Sequence, residues 1–296
     1  MSGAQGITQE LSLGDVVSKT FELYRRDIVK YTILFLVVEA IIGVLTTLVR
    51  RAVVFPAALP ADATAQQFVS WAPSFFGAVI ALVALTAIVT WVFYPVVFGG
   101  AVELASAQIV TGRADLAESV RSAISRIIWI WIVGIVVGII VFVGFIALIV
   151  PGIILTIMFS LVLPAVIIEK TGFGSLGRSR KLVSQRWLKT LALMIVFAII
   201  IGIASAIAGA IAAVFGEGST IVSSILSAFY LPLVPIALTV YYYSNVARIA
   251  PSQAGQPPGA MGATSQMSMM RFCPNCGTQI ATTTMFCPNC GAKQSL

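Results

Sequence analysis

The sequence predicts an all-α polytopic membrane protein with about six transmembrane helices, followed by a small cysteine-rich module. Of its 296 residues, 59% are hydrophobic and only 10% are charged, whereas soluble domains carry roughly 25% charged residues. Long apolar tracts fill most of residues 28–250, and all four cysteines lie after them. Most of the chain must therefore be solvated by lipid.

Five apolar tracts are long enough to cross a bilayer, since a spanning helix needs about 20 apolar residues. These tracts are Ile28–Val49, Phe75–Phe98, Ile127–Ile168, Leu191–Phe215 and Ile221–Val246. The third is uncharged and, at about 1.5 Å per residue, is twice as long as a bilayer is thick. It must fold back, so we predict two helices, Ile127–Val150 and Gly152–Ile168, joined by a tight turn at Pro151-Gly152. The total is about six transmembrane helices.

Three short basic segments share one layout, in which an amphipathic stretch runs into an apolar helix. They are Leu13–Lys30, Ala114–Trp129 and Gly174–Leu191, and each places apolar residues at helical spacing opposite polar ones. Such helices are expected to lie in the membrane interface and to lead into a two-span hairpin. We therefore interpret residues 28–250 as a membrane domain of three hairpin units, preceded by a cytoplasmic amphipathic segment, residues 1–27.

The distribution of basic residues predicts the orientation of the membrane domain. The formal net charge is +7, and a cytoplasmic N-terminus puts every lysine and arginine except Arg50 and Arg51 in a cytoplasmic segment. Lysine and arginine concentrate on the cytoplasmic side of membrane proteins. We therefore expect both termini to be cytoplasmic in a multi-pass protein. The expected location is the plasma membrane of a prokaryote.

The four cysteines form two C-P-N-C-G motifs within residues 271–296, which we predict to be a zinc ribbon. Cys273 and Cys276 belong to the first motif, and Cys287 and Cys290 belong to the second. Each C-x-x-C pair wraps two thiolates round one ion, so the four cysteines predict a tetrahedral Zn²⁺ site. Such a site has no open position, so the zinc is expected to be structural. A module of this size needs the metal in order to fold.

A disulfide pair or a redox C-x-x-C motif is the alternative interpretation of these cysteines. It is disfavoured because the tail is predicted to lie in the cytoplasm, where thiols stay reduced. Residues 251–270 contain no charge before Arg271 and are rich in Pro, Gly, Ser, Gln and Met. This composition is typical of a flexible linker between the membrane domain and the ribbon.

The composition excludes several classes of enzyme. The sequence contains no histidine, so it has no histidine general base, no Ser-His-Asp triad and no histidine metal ligand. The predicted spans also lack a pair of carboxylates that could divide acid and base roles. We therefore expect a protein without enzymatic activity.

Glu39 is the second candidate site residue, after the cysteines. It lies near the middle of the first span, where a charged side chain costs at least about 2.5 kcal/mol. One interpretation is a packing residue that is protonated or hydrogen-bonded to a neighbouring helix. The other is a proton or cation site that faces the interior of the helix bundle. The absence of an intramembrane lysine or arginine partner favours the packing interpretation.

The middle of the chain resembles a known membrane domain. The segment Phe145–Phe159 reads F-I-A-L-I-V-P-G-I-I-L-T-I-M-F, and Glu169–Gly172 and Ser175–Val183 follow it. This order resembles the membrane domain that accompanies glycerophosphodiester phosphodiesterases and that also occurs as a stand-alone membrane protein. The resemblance implies an architecture for residues 10–250. It implies no activity, because the phosphodiesterase chemistry belongs to a separate barrel domain that uses histidines.

These observations predict a non-enzymatic integral membrane protein whose zinc ribbon is a cytoplasmic docking or regulatory module. The expected partners are the lipid bilayer and a cytoplasmic protein. The alternative is a transporter or lipid-handling protein with Glu39 in an intramembrane site. Nucleic acid is not an expected partner, because Arg271 and Lys293 are the only basic residues of the ribbon.

Overall fold

The computed structural model describes residues 6–60, 62–249, 270–272 and 279–281. The chain divides into two units, Met1–Ala250 and Pro251–Leu296. The first unit is helical in its described part, and the described residues of the second form two short strands. The predicted linker, apart from Met270, and the four cysteines lie outside the described residues.

The helices follow the predicted tracts, with differences at their ends. They are α1 (Leu13–Arg26), α2 (Ile28–Ala52), α3 (Ala65–Thr111), α4 (Leu116–Ser125), α5 (Ile127–Ala147), α6 (Ile149–Met158), α7 (Val162–Ile168), α8 (Gly174–Val183), α9 (Trp187–Ala213), α10 (Ser219–Ser227) and α11 (Leu233–Ile249). A single 3₁₀ turn, Gly216–Gly218, connects α9 to α10. Strands β1 (Met270–Phe272) and β2 (Gln279–Ala281) pair in antiparallel fashion.

Five helical segments of the described chain are long and apolar enough to cross a membrane. They are α2, α3, α5, α6 together with α7, and α9. The tract Ile221–Val246, predicted as the sixth span, is divided instead between α10 and α11, and neither helix is among these five segments. A membrane-embedded helical protein is therefore supported, and the count of six spans stays a prediction.

The predicted turn at Pro151-Gly152 is wrong by a few residues. The fold-back occurs at Leu148, whose backbone is extended (φ −167°, ψ 150°), and both Pro151 and Gly152 lie in the first turn of α6. A proline is tolerated there because the first N–H groups of a helix have no intrahelical partner. Gly152 allows α5 and α6 to cross closely, since a Cβ at this position would lie 2.5 Å from the Phe145 ring.

Each predicted amphipathic segment contains a short helix that ends just before a long apolar one. These helices are α1, α4 and α8; one non-helical residue follows α1 and α4, and three, residues 184–186, follow α8. The residue directly before each long helix has similar backbone angles: φ −130° and ψ 37° at Asp27, φ −108° and ψ 1° at Arg126, and φ −136° and ψ 28° at Arg186. The three hairpin units thus share a similar break before the long helix as well as the same order of helices.

The short helices pack against the protein with their apolar faces. Val16 and Thr20 of α1 are fully buried where α1 packs on α11, and α4 packs on α3. The main core joins α2, α3 and α11 through residues such as Phe35, Leu104 and Ile236, all with no exposed surface. This core fixes the helices that carry the polar groups described next.

Candidate functional site

The two strands flank the first cysteine motif directly. Phe272 at the end of β1 pairs with Gln279 at the start of β2, and Met270 pairs with Ala281. Residues 273–278, which contain Cys273 and Cys276, connect the two strands in the sequence and lie outside the described residues, as do Cys287 and Cys290. Two C-x-x-C pairs are a donor set that suits zinc.

Four thiolates supply every ligand that tetrahedral Zn²⁺ takes. Bound zinc would hold the two cysteine motifs together and neutralise part of their negative charge. It would leave no position for a substrate or an activated water. A four-thiolate zinc site of this kind is structural.

Glu39 occupies a buried position in the middle of α2. Its side chain is 3% exposed, and its Oε1 atom has no hydrogen-bond partner among the described residues. The hydroxyl groups of Tyr94, on α3, and Ser227, the last residue of α10, lie beside the carboxyl group. Glu39 therefore lies among polar groups from three helices, a position that both interpretations of the residue allow.

Close packing of α2 against α10 places Ser227 beside Glu39. Gly43 lies one turn beyond Glu39, and a Cβ at Gly43 would lie 2.9 Å from the Ser224 Cβ and 3.3 Å from the Ile221 Cα. A larger residue at position 43 would push the helices apart. The absence of a side chain at Gly43 therefore sets the distance between α2 and the end of α10.

The helix that the sequence predicts over Ile221–Val246 is interrupted beside Glu39. Residues 228–232 form turns between α10 and α11. Pro232 has no N–H group, so it cannot bond to the Ala228 carbonyl as residue i+4 of a helix would. The Phe229 carbonyl accepts a hydrogen bond of 2.6 Å from the Tyr24 hydroxyl on α1. A proline and a side-chain hydrogen bond thus support the interruption.

A second polar cluster joins α7, α8 and α11. Glu169 Oε1 accepts hydrogen bonds from Arg178 Nε at 2.6 Å and from the Tyr242 hydroxyl. Nearby, the Ser179 hydroxyl donates to the Met158 carbonyl at 2.7 Å. We call the Glu169, Arg178 and Tyr242 cluster the α7–α8 clamp. Sequence reasoning assigned no role to it, although Glu169 and Arg178 lie in the segment that carries the family resemblance.

The segment before α1 is fixed to α9 by charged groups. Glu10 accepts a hydrogen bond of 2.6 Å from Lys189 Nζ and one of 3.0 Å from Arg186. The Lys189 hydrogen bond, followed by the charges of Lys189 and Arg186, lowers the pKa of Glu10 in spite of its partial burial. Lys189 also donates to the Leu11 carbonyl, at 2.7 Å. The first and third hairpin units are therefore linked to each other by contacts outside the membrane-spanning segments.

Two apolar grooves run along the two sides of α5. One, of about 610 Å³, lies between α5, α6, α9 and α11; the other, of about 560 Å³, lies between α3, α5 and α7. They share Gly134, Val137, Phe159 and Ser160, and Tyr94 also lines the second groove. The surrounding helix surfaces are apolar and exposed. Both grooves are therefore suited to acyl chains rather than to polar solutes.

The comparison with known protein families concerns the C-terminal module. Residues 272–294 match the zinc-ribbon domain family. No curated protein and no solved structure matches the chain. The matched residues include all four cysteines, and the match supports zinc binding; the four cysteine ligands stay a prediction. The resemblance of the membrane domain to the phosphodiesterase-associated domain remains a prediction.

Proposed function

We propose that this is a non-enzymatic integral membrane protein whose zinc ribbon is a docking or regulatory module for a cytoplasmic protein. The observation that carries the proposal is the zinc-ribbon match at residues 272–294, after a membrane-embedded helical unit. A ribbon with four thiolate ligands is a stable surface without a reactive position. Its attachment to a membrane unit would keep whatever it binds at the membrane.

The placement of the ribbon in the cytoplasm rests on the charge distribution. Arg50 and Arg51 follow the first predicted span, and the other basic residues lie in the segments that we assign to the cytoplasmic side. A reducing cytoplasm keeps the four cysteines available as thiolates for zinc. We place the protein in the plasma membrane of a prokaryote, with both termini inside.

A protein partner fits the ribbon better than nucleic acid does. Arg271 and Lys293 are the only basic residues in residues 271–296. Affinity for nucleic acid depends on several lysine or arginine contacts to phosphates. Two such residues would provide a weak electrostatic attraction, so the proposal commits to a protein.

The test is crosslinked co-purification of the full-length protein from native membranes. It compares the wild type with a variant that carries Cys273→Ser and Cys276→Ser, and with a linker control, Ser268→Ala. We expect at least one partner to be recovered with the wild type and the control and to be lost with the cysteine variant. Identical recovery from all three proteins would contradict a docking role for the ribbon.

A transporter or lipid-handling function is the second candidate, with Glu39 in an intramembrane site. Two observations favour it: the unpartnered Glu39 carboxyl oxygen beside an interrupted helix, and the two apolar grooves along α5. Transporter sites are often built from interrupted helices. Glu39→Gln should then abolish a flux or a lipid-binding signal in reconstituted vesicles. Wild-type behaviour of this variant would remove the main support for the candidate.

A further inference from the structure

Glu39 lacks the partners that usually accompany a buried carboxylate. It is 3% exposed, its Oε1 accepts no hydrogen bond, and no ion pair of the described residues includes it. An ionised carboxylate without a counter-charge is strongly disfavoured in an apolar interior. The group must therefore be neutralised by something that the described side chains do not supply.

Within residues 6–249, apart from residue 61, the surroundings of Glu39 contain dipoles and hydroxyl groups but no fixed positive charge. Tyr94 faces it from α3 and Ser227 from α10, and Tyr230 lies near Tyr94 in the turns after α10. Tyr94 is the titratable group beside Glu39 on these elements, and Tyr230 is the one beside Tyr94; Glu103, also on α3, lies more than two helical turns beyond Tyr94. On the α1 side, the Tyr24 hydroxyl is already bonded to the Phe229 carbonyl. Glu39 therefore carries the one carboxylate charge of this cluster.

The end of α10 adds a negative dipole to this environment. Ser227 is the last residue of α10, and a helix C-terminus carries a partial negative charge that favours cations. In a continuous helix, residue 232 would donate its N–H to the Ala228 carbonyl, but Pro232 has no N–H. Within the described part of the chain, no hydrogen bond to this carbonyl occurs. Both features make an ionised Glu39 less stable and a positive charge beside it more stable.

We propose that Glu39 is an exchangeable proton-binding site, with the Tyr94 and Ser227 hydroxyls as its positioning groups. In the step, the carboxylate accepts a proton from a hydronium ion, whose O–H bond breaks and leaves water; in the reverse step the carboxyl O–H bond breaks and water takes the proton as hydronium. A single carboxylate is neutralised by one positive charge, whereas a divalent ion would leave an excess positive charge in the apolar interior. This inference does not depend on the docking role of the ribbon.

Because the helix is interrupted beside Glu39, binding of this proton affects the contact between α2 and α10. When Glu39 is neutral, the α2–α10 contact at Gly43 and Ser224 is stable without a counter-charge. Loss of the proton would place a negative charge beside the negative end of α10 and weaken that contact. Proton binding and the position of α10 are therefore coupled in the proposed site.

The test is infrared spectroscopy of the full-length protein in lipid vesicles, in NaCl and in choline chloride. We expect at pH 7 a C=O band of a protonated carboxylic acid that is absent in Glu39→Gln, shifts in D₂O and disappears reversibly at high pH. An ordinary glutamate, with a pKa near 4.3, is ionised at pH 7. The exposed Glu217, 94% accessible at its side chain, provides the control variant Glu217→Gln, which should keep the band.

Two conservative variants separate a proton site from a packing residue. Tyr94→Phe and Ser227→Ala should move the frequency of the Glu39 band and the pH at which it disappears. A band that does not shift in D₂O would contradict exchange and leave Glu39 as a packing residue. The absence of a Glu39 band at pH 7 in both salts would overturn the proposal. A band lost only in NaCl would also overturn it, because the site would then take Na⁺ rather than a proton.

Discussion

Glu169 connects three helices through one carboxylate oxygen, and this makes it a sensitive point of the membrane unit. Glu169→Gln keeps the size of the side chain but removes the charge that Arg178 faces at 2.6 Å. A hydrogen bond to a charged group contributes about 1.5–3 kcal/mol. Since both side chains are partly exposed, we expect a loss of about 1–2 kcal/mol in the free energy of unfolding. Denaturant unfolding in detergent measures it.

Glu217→Gln is the matched control for that substitution. Glu217 pairs with Arg51 at 3.4 Å, and both side chains are largely exposed. Exposed pairs of this kind contribute little to stability, so the control should unfold like the wild type. Equal losses in the two variants would show that the α7–α8 clamp has no special contribution.

We expect the contacts of Glu10 to make the stability of the protein depend on pH. Its hydrogen bond to Lys189 lowers its pKa below the ordinary value of 4.5, so the folded state favours the ionised form. The stabilisation is fully present above about pH 4.5 and is lost as the pH falls through the lowered pKa. At pH 7 we expect the wild type to exceed Glu10→Gln by about 1 kcal/mol in the free energy of unfolding. The same comparison at pH 3 should give a smaller difference; a constant difference would contradict this account.

At the scale of elements, the close contact of α2 with α10 depends on Gly43. In Gly43→Ala the new Cβ would meet backbone and side-chain atoms of α10 at 2.9–3.3 Å. Overpacking of this kind costs about 1–3 kcal/mol, and thermal unfolding of the purified protein measures it. The variant should also shift the infrared band of Glu39, since Ser227 moves with α10.

Gly202→Ala provides the comparison for Gly43→Ala. Gly202 lies within α9, and a Cβ there would meet nothing within 4 Å. We expect its unfolding temperature to equal or slightly exceed that of the wild type, because alanine favours a helix by about 1 kcal/mol over glycine. If the two alanine variants behave alike, the crossing at Gly43 is not as tight as the structure indicates.

The sequence predicted the apolar helices well because hydrophobicity alone decides which segments enter lipid. It predicted their breaks less well. Pro151-Gly152 is the obvious breaker in its tract, yet the fold-back lies at Leu148, because a proline fits the first turn of α6. The interruption after α10 depends on Pro232 together with the Tyr24 hydrogen bond to Phe229, and the sequence does not show that these two residues meet.

The prolines reveal a similarity between units that the prediction did not use. The second arm of each hairpin contains a proline in its later part: Pro95 in α3, Pro164 in α7 and Pro235 in α11. In the second and third units the helix is interrupted a few residues earlier. The three hairpin units therefore share a proline in the second arm and a helix break before the first arm. A pairwise comparison of the units by position, rather than by residue identity, could have found this signal.

The candidate sites were predictable to different degrees. The four cysteines lie close together in the sequence, and their spacing indicates a zinc site. They can therefore be identified without knowledge of the fold. Glu39 was recognisable as a charge in an apolar tract, but its neighbours Tyr94 and Ser227 come from distant segments. Glu169, Arg178 and Tyr242 look like ordinary interfacial residues until the fold brings α8 and α11 together.

In the molecule as a whole, we expect zinc to stabilise the ribbon and to leave the membrane unit unaffected. The full-length protein should bind one zinc ion per chain, and Cys273→Ser with Cys276→Ser should bind none. The free energy of unfolding of the membrane unit should stay within about 0.5 kcal/mol of the wild type, as for other substitutions away from its core. Elemental analysis and thermal unfolding measure the two quantities. A zinc content that the substitutions do not change would contradict the predicted ligands.

The most direct test of the central claim is thiol labelling with a membrane-impermeant maleimide, because the four ribbon cysteines are the only ones in the chain. Right-side-out and inside-out vesicles are compared with and without a zinc chelator. Glu217→Cys, in a variant with serine at all four ribbon positions, reports the opposite side of the membrane. We expect the ribbon cysteines to react with the maleimide only in inside-out vesicles, and only after the chelator has removed zinc. Reaction in right-side-out vesicles, or full reaction before chelation, would contradict a cytoplasmic zinc ribbon.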